Sequence, residues 1–281
     1  MIRPNAILMC EPTYFDVIDI KNAFMVGSVG TVDRDVALSQ WRSLKALIES
    51  LGTPVAVLPA SSGLEDMVFC ANPSFVGLSD QNEKIAVLSQ MRFESRKKET
   101  PFHQAFFQGL GYEIKTLPPL NQGYEGRGDT FWHPMQRHLW CGVGPRSGSD
   151  AYRNLAKLFN ATFNMIPLVH PRFYHLDTCF CPLTEDAVML FPEALASEIL
   201  PLIRRAFHHV IEVSSEEANR FACNSISLGS GDILSPTDSL NTKTRIKLQD
   251  LGLKLHESDT SEFQKSGGSI ACLTLAFWMG P

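Results

Sequence analysis

The sequence has no block of like charges, no uninterrupted apolar run long enough for a bilayer, and no cysteine spacing of the kind that builds a disulfide framework. Each absence excludes something. Charged residues make up 20% of the chain, with 25 Lys and Arg scattered among 30 Asp and Glu for a formal net charge of -5, so no clustered footprint for nucleic acid is present. Without a long apolar segment, a membrane span is not expected, and the apolar run in the first ten residues is too short for a secretory signal. The 7 cysteines are odd in number and mostly sit in apolar runs. They point to a reducing, cytoplasmic setting in which a thiol stays available for chemistry. No linker or low-complexity stretch divides the chain, so residues 1–281 read as a single domain.

What is there is a repeat. The sequence is 44% hydrophobic, and its periodicity shows a helix-like stretch, a turn residue and then a short β-prone run, several times over. Asp33–Ser50 is followed by Val55–Leu58, Pro101–Leu110 by Tyr112–Leu117, and Ser149–Asn160 by Phe163–Leu168. Pro192–His208 precedes Val210–Val213, and Ser239–Asp250 precedes Leu253–Leu255. Further strand-like runs lie between them: Ala6–Met9, Met67–Cys70, Ile85–Leu88, Leu139–Val143, Ala187–Leu190, Cys223–Leu228 and Ser269–Phe277. The result is an α+β pattern of ββαβ units, none of which can cover its own apolar face. Packing five of them around an axis solves that problem.

The chemistry-bearing residues recur at matching places in these units. Near the end, Gly267 and Gly268 lead into an apolar run with Cys272 at its mouth, where a loop can present a nucleophile. A lone cysteine is more often a small buried hydrophobe, so partners are needed. His175 titrates near neutrality, and Asp177 two residues on would share its face of a strand and hold it. His175, Cys179 and Cys181 do not make a common zinc spacing and have no evident fourth ligand, so no metal is expected. Glu125 and Asp129, separated by Gly126-Arg127-Gly128, suit a planar cation that needs two acceptors, although a solvated acidic turn would look the same. Asn22, Asp66 and Asn72 complete the polar set, while Arg96 and Arg146 are candidates for a substrate carboxylate.

Taken in order, Met9-Cys10-Glu11-Pro12, Asp66-Met67-Val68-Phe69-Cys70-Ala71-Asn72, Glu125-Gly126-Arg127-Gly128-Asp129, His175-Leu176-Asp177-Thr178-Cys179-Phe180 and Gly267-Gly268-Ser269-Ile270-Ala271-Cys272 resemble the guanidine-modifying enzymes, or penteins. The resemblance runs over nearly the whole chain and is nearest the arginine dihydrolase branch. It implies a five-bladed β/α propeller with the site on its axis, Cys272 as nucleophile, His175 as acid and base, and Asp66, Asp129 and Glu125 around a guanidinium. Asn72 stands where dimethylarginine hydrolases and deiminases usually carry aspartate, which suits loss of both nitrogens. Glu65, Pro73-Ser74-Phe75 and Phe93-Glu94-Ser95 depart from that branch.

The expected activity is hydrolysis of a guanidino C–N bond, on arginine or an N-methylated arginine, through a covalent amidino-thioether. A dimethylarginine dimethylaminohydrolase and an amidinotransferase would share that intermediate. A propeller that binds a partner and catalyses nothing is the reading of a different class. No cofactor is expected, and the partners are a small guanidino substrate and at most further copies of the chain. Val26–Val32 and Pro236–Thr244 are candidate lids.

Overall fold

The computed structural model describes residues 3–280, and its sheets repeat one arrangement along the chain. Strand β1 (Ala6–Cys10) leads to helix α1 (Arg34–Ser50) and then to β2 (Val55–Leu58), which lies parallel to β1. Asp33 starts α1 by accepting from the Asp35 and Val36 amides, and Gly52, at φ +83°, turns the chain back after it. Ala37, Trp41, Leu44 and Ile48 recur at helical spacing and bury against Ile7 and Met9 of β1. Val36 falls off that stripe and is exposed.

The second sheet is β3 (Ser74–Leu78), β4 (Lys84–Leu88) and β5 (Glu113–Thr116), with α2 (Glu94–Lys97) and α3 (Thr100–Gly109) in the crossover. Short α4 (Gly126–Asp129) enters the third, made of β6 (Thr130–Trp132), β7 (His138–Val143) and β8 (Thr162–Pro167) with α5 (Asp150–Leu158). The fourth is β9 (Phe180–Pro182), β10 (Ala187–Leu190) and β11 (His209–Glu212) with α6 (Leu200–Ala206). After α7 (Ser215–Asn219) come β12 (Ile226–Ser227), β13 (Asp232–Pro236) and β14 (Lys254–Ser258) with α8 (Thr242–Asp250). Following α9 (Ser261–Gln264), β15 (Leu275–Phe277) pairs with β1 and completes the first sheet from the far end of the chain.

In every sheet the middle strand is antiparallel to one neighbour and parallel to the strand that follows its helix. A parallel partner needs a crossover, which is why each helix sits where the repeat places it. Among the described residues no helix is long and apolar enough to cross a membrane.

Four expectations change. Met67–Cys70 is not a strand: the Met67, Phe69 and Asn72 amides bond back to Leu64, Asp66 and Phe69 carbonyls, and the sheet begins at Ser74. Pro192–His208 is not one helix, because Pro201 lacks an N–H and cannot follow a helical turn, so two 3-10 turns precede α6. Of Cys223–Leu228 only β12 is strand, and of Ser269–Phe277 only β15, the residues before each being tight turns. Pro236–Thr244, a candidate lid, runs from the end of β13 into α8, where Asn241 caps the helix.

Candidate active site

The segments just before β3, β6, β9, β12 and β15 carry Asn72, Asp129, Asp177, Asn224 and Cys272 respectively, so the approach to the first or outermost strand of each sheet supplies one polar group. Cys272, His175, Asp66, Asn72, Glu125, Asp129, Arg96 and Arg146 are all 5% exposed or less.

Cys272 packs among Ile270, Ala271 and Leu273, yet its sulfur is not walled off by hydrocarbon. Sγ donates to Asp177 Oδ2 at 3.3 Å and accepts from Asn224 Nδ2 at 3.1 Å. Asn224 Oδ1 in turn accepts the amides of Cys272, at 3.2 Å, and Ser269, at 2.9 Å. By contrast, Cys70 and Cys181 give their thiol protons to backbone carbonyls. Burial, and then the Asp177 carboxylate, push the Cys272 thiol well above its ordinary range, so the sulfur is protonated here. Gly268 must be glycine, since a Cβ there would fall 2.4 Å from the Phe69 ring.

His175 occupies a second cluster. Its Nε2 lies 2.8 Å from Glu125 Oε2 and 3.9 Å from Asp129 Oδ2. Burial alone would raise the Glu125 carboxyl, but Arg146 at 2.9 Å and His175 outweigh it and hold Glu125 below the usual carboxylate range. An ionised Glu125 accepts from Nε2–H, which leaves Nδ1, buried and without a hydrogen-bond partner, as the nitrogen free to exchange a proton. Asp129 accepts from Ser147 Oγ at 2.6 Å and the Leu176 amide at 3.0 Å, and burial raises it to about 6. Gly128 permits this crowding: a Cβ there would be 2.3 Å from Asn72 Nδ2 and 3.3 Å from the imidazole.

Several sequence assignments are corrected by these contacts. Asp177 does not hold His175: residues 176–178 form a 3-10 turn, so positions two apart do not share a face, and the carboxylate reaches the thiol instead. Glu125 is tied to the imidazole and Arg146, not left open for a cation. Arg96 is fully engaged with Glu99 through two 2.9 Å bonds, with Asn72 Oδ1 at 3.0 Å, and with the Asp66 and Phe69 carbonyls. Arg146 bonds Glu125 and the Lys21 carbonyl and lies 4.7 Å from the rings of both Phe93 and Tyr174. Neither arginine has the free fork that a substrate carboxylate needs.

Asn22 accepts from the Phe24 amide and donates to the Ser266 carbonyl at 3.0 Å, fastening its segment to the glycine loop. Asp66 accepts from Ser266 Oγ at 3.3 Å and pairs with Lys21 Nζ at 3.1 Å. Lys21 and Asn224 are the groups that the sequence reading gave no role. Lys21 had a signal, a lone cation after Asp16 and Asp19 and beside Asn22; Asn224 sits between apolar Cys223 and small Ser225 and offers none beyond its place in the repeat. Lys21 precedes the candidate lid Val26–Val32, and its ammonium meets Glu65 at 3.0 Å and Asp66 at 3.1 Å. Among the described residues no group of three or more His, Cys, Asp and Glu could hold a metal ion.

The model of the eukaryotic N,N dimethylarginine dimethylhydrolase family matches residues 14–279. The bifunctional arginine dihydrolase/ornithine cyclodeaminase AgrE of a Nostoc species is 35% identical over 95% of this chain, which spans 37% of that relative's length. The N(G),N(G)-dimethylarginine dimethylaminohydrolase of Mycobacterium tuberculosis is 30% identical over 97% of this chain and 86% of its own. The substrate-bound crystal structure of a cysteine-to-serine variant of the N-terminal domain of ArgZ, a cyanobacterial arginine dihydrolase, superimposes with a TM-score of 0.91 at 31% identity, covering 98% of both chains.

Proposed function

The chain belongs to the guanidine-modifying pentein superfamily, and from that premise we propose that it hydrolyses the guanidino group of arginine by way of Cys272. The observation that supports the proposal is the hydrogen bond of the Cys272 thiol to Asp177, two residues beyond an imidazole with a free Nδ1, in a chain that also buries the carboxylates Asp66 and Asp129. We take residues 1–281 as one catalytic domain built as a five-bladed propeller. Five sheets of like order and the pairing of β15 with β1 support that arrangement. Seven free cysteines suit a cytoplasmic location.

A guanidinium entering against Asp66 and Asp129 brings its own positive charge to a sulfur that is otherwise held protonated. The thiol passes its proton to the free Nδ1 of His175 and the sulfur attacks the central carbon. His175 Nδ1 protonates the departing nitrogen, ammonia leaves, and an amidino-thioether remains. The same Nδ1 then takes a proton from water as it adds to that carbon, and the C–S bond breaks to give a ureido product. A second pass releases carbon dioxide and another ammonia, so that arginine and two waters yield ornithine, carbon dioxide and two ammonia.

Asn72 favours this outcome over a single deimination. Its amide accepts at Oδ1 from Arg96, leaves Nδ2 as an unpartnered donor and cannot serve as an anionic clamp. Incubation with arginine, dimethylarginine, agmatine and citrulline, followed by assays for ammonia, ornithine and dimethylamine, tests the proposal. Two ammonia per ornithine from arginine is the expected result. Release of dimethylamine from dimethylarginine with arginine untouched would make the chain a dimethylaminohydrolase. No product from any of them, with transfer to an added amine, would make it an amidinotransferase.

A further inference from the structure

A cavity of about 500 Å³ opens among the strands, lined by residues of the first or outermost strand of every sheet: Phe75, Phe131, Cys181, Ile226 and Leu275. Its volume falls in the usual range for small-molecule sites, roughly 300 to 1,000 Å³. The walls are mainly apolar, and the charged side chains that line it, Arg127 and Arg3, are both cations; no Asp or Glu does so. In a chain of net charge -5 that is a marked local reversal.

Arg127 is the cation in this wall whose guanidinium has an unmatched N–H. One face of its guanidinium rests on the Phe131 ring, 3.8 Å from the centroid, and Nη1 is buried without a hydrogen-bond partner. Asp177 acts on it through charge, but among the described residues no ion pair joins them; Asp177 Oδ2 accepts from the Cys272 thiol and Oδ1 is left unmatched. Arg3 is already committed to the Gly229 carbonyl. A desolvated guanidinium edge with an unmatched N–H is unfavourable unless an acceptor meets it, and a carboxylate meets two of its N–H groups at once.

We propose that this cavity is a second ligand site, distinct from the Cys272 site, for an organic carboxylate with an apolar body, held by Arg127 at the acid end and by Phe131, Trp132 and Leu275 along its chain. An inorganic anion would satisfy the guanidinium but leave the apolar walls uncovered, and a neutral chain would do the reverse. The ligand must combine both.

Trp132 and Trp278 line the cavity, so their fluorescence reports occupancy. Hexanoate is the probe, with hexanol as its neutral analogue and phosphate as the anion without a body. Hexanoate should bind saturably and at least about tenfold more tightly than either control, a difference of about 1.4 kcal/mol. Arg127→Met should lower hexanoate to the level of hexanol and leave hexanol unchanged. Ala276→Phe, which fills the cavity from β15 and keeps the guanidinium, should weaken both and keeps the test decisive if Arg127→Met does not fold. Hexanoate binding no tighter than hexanol, phosphate binding where hexanoate does not, or an Arg127→Met variant that binds hexanoate like the parent would each overturn the proposal. In the first case Arg127 is only a distant counter-charge to Asp177.

Discussion

The imidazole half of the candidate site and the thiol half are equally buried but electrostatically opposite. Around His175 the carboxylates are each satisfied: Glu125 pairs with the Arg146 cation, and Asp129 accepts from a hydroxyl and a backbone amide. Around Cys272 the charged group in hydrogen-bond contact among the described residues is Asp177, which opposes a thiolate, while Asn224 contributes a neutral amide. One half is therefore ready before substrate arrives. The other is waiting for a cation. In such an arrangement the guanidinium's own charge completes the site for the first attack on carbon.

Removing the sulfur is the largest test of that contrast. Cys272→Ser should lower kcat at least about a thousandfold, because an alcohol cannot be activated where even a thiol is held protonated. Ammonia release at the parent's rate would remove Cys272 from the chemistry. On the other side, Glu125→Gln and His175→Gln should each cost on the order of a hundredfold in kcat. Because Glu125 acts through Nε2, its variant should also shift the pH profile of kcat, whereas a merely structural glutamate would reduce the amount of folded enzyme and leave the profile in place.

Asp177 gives a stability test of the thiol half. Burial lifts its carboxyl from 3.8 to about 6, with Arg127, Cys272 and Asn224 acting the other way. The folded state thus holds this proton more tightly than the unfolded chain. Its contribution to stability is complete below about pH 4 and is lost as pH rises through about 6, amounting to about 3 kcal/mol. Asp177→Asn should therefore raise Tm at pH 7.5, and the gain should fade as pH is lowered to 4. A Tm difference that does not change with pH would mean that Asp177 is already neutral or well solvated.

The same contrast explains what the sequence disclosed. Helix α1 was legible to the residue because Asp33, the apolar stripe and Gly52 are local signals, as were β2, β4 and β10 with their β-branched runs. Motif order brought Cys272, His175, Asp66 and Asp129 forward as candidates. Their pairings could not: Asp177 with Cys272 spans 95 positions and Glu125 with His175 spans 50, and no spacing rule reports contacts at such separations. Residue type misled for Arg96 and Arg146, since arginine serves equally to hold a ligand and to brace Asn72 or Glu125. The strand-like runs at Met67–Cys70 and Ser269–Thr274 are apolar because they are buried turns, and burial erases the alternation by which a strand is recognised.

Lys21 offers the finest test, because it places a cation beside Asp66 from within the chain. Burial would lower the lysine, but Asp66, Asp19 and Glu65 outweigh that and keep it charged. A guanidinium that binds Asp66 must displace this ammonium or share the carboxylate with it. Lys21→Met removes the competitor and leaves Glu65 and Asp66 as a buried negative pair, which a cationic substrate neutralises on arrival. KM should fall about threefold to tenfold, up to about 1.4 kcal/mol, with kcat within about twofold of the parent. Salt should weaken binding more in the variant, since the carboxylates no longer carry an internal counter-ion. A rise in KM at unchanged kcat would reverse the assignment: Lys21 would then be the latch that draws its segment over bound substrate, and the charge that competes for Asp66 in the free protein would be the one that closes the site.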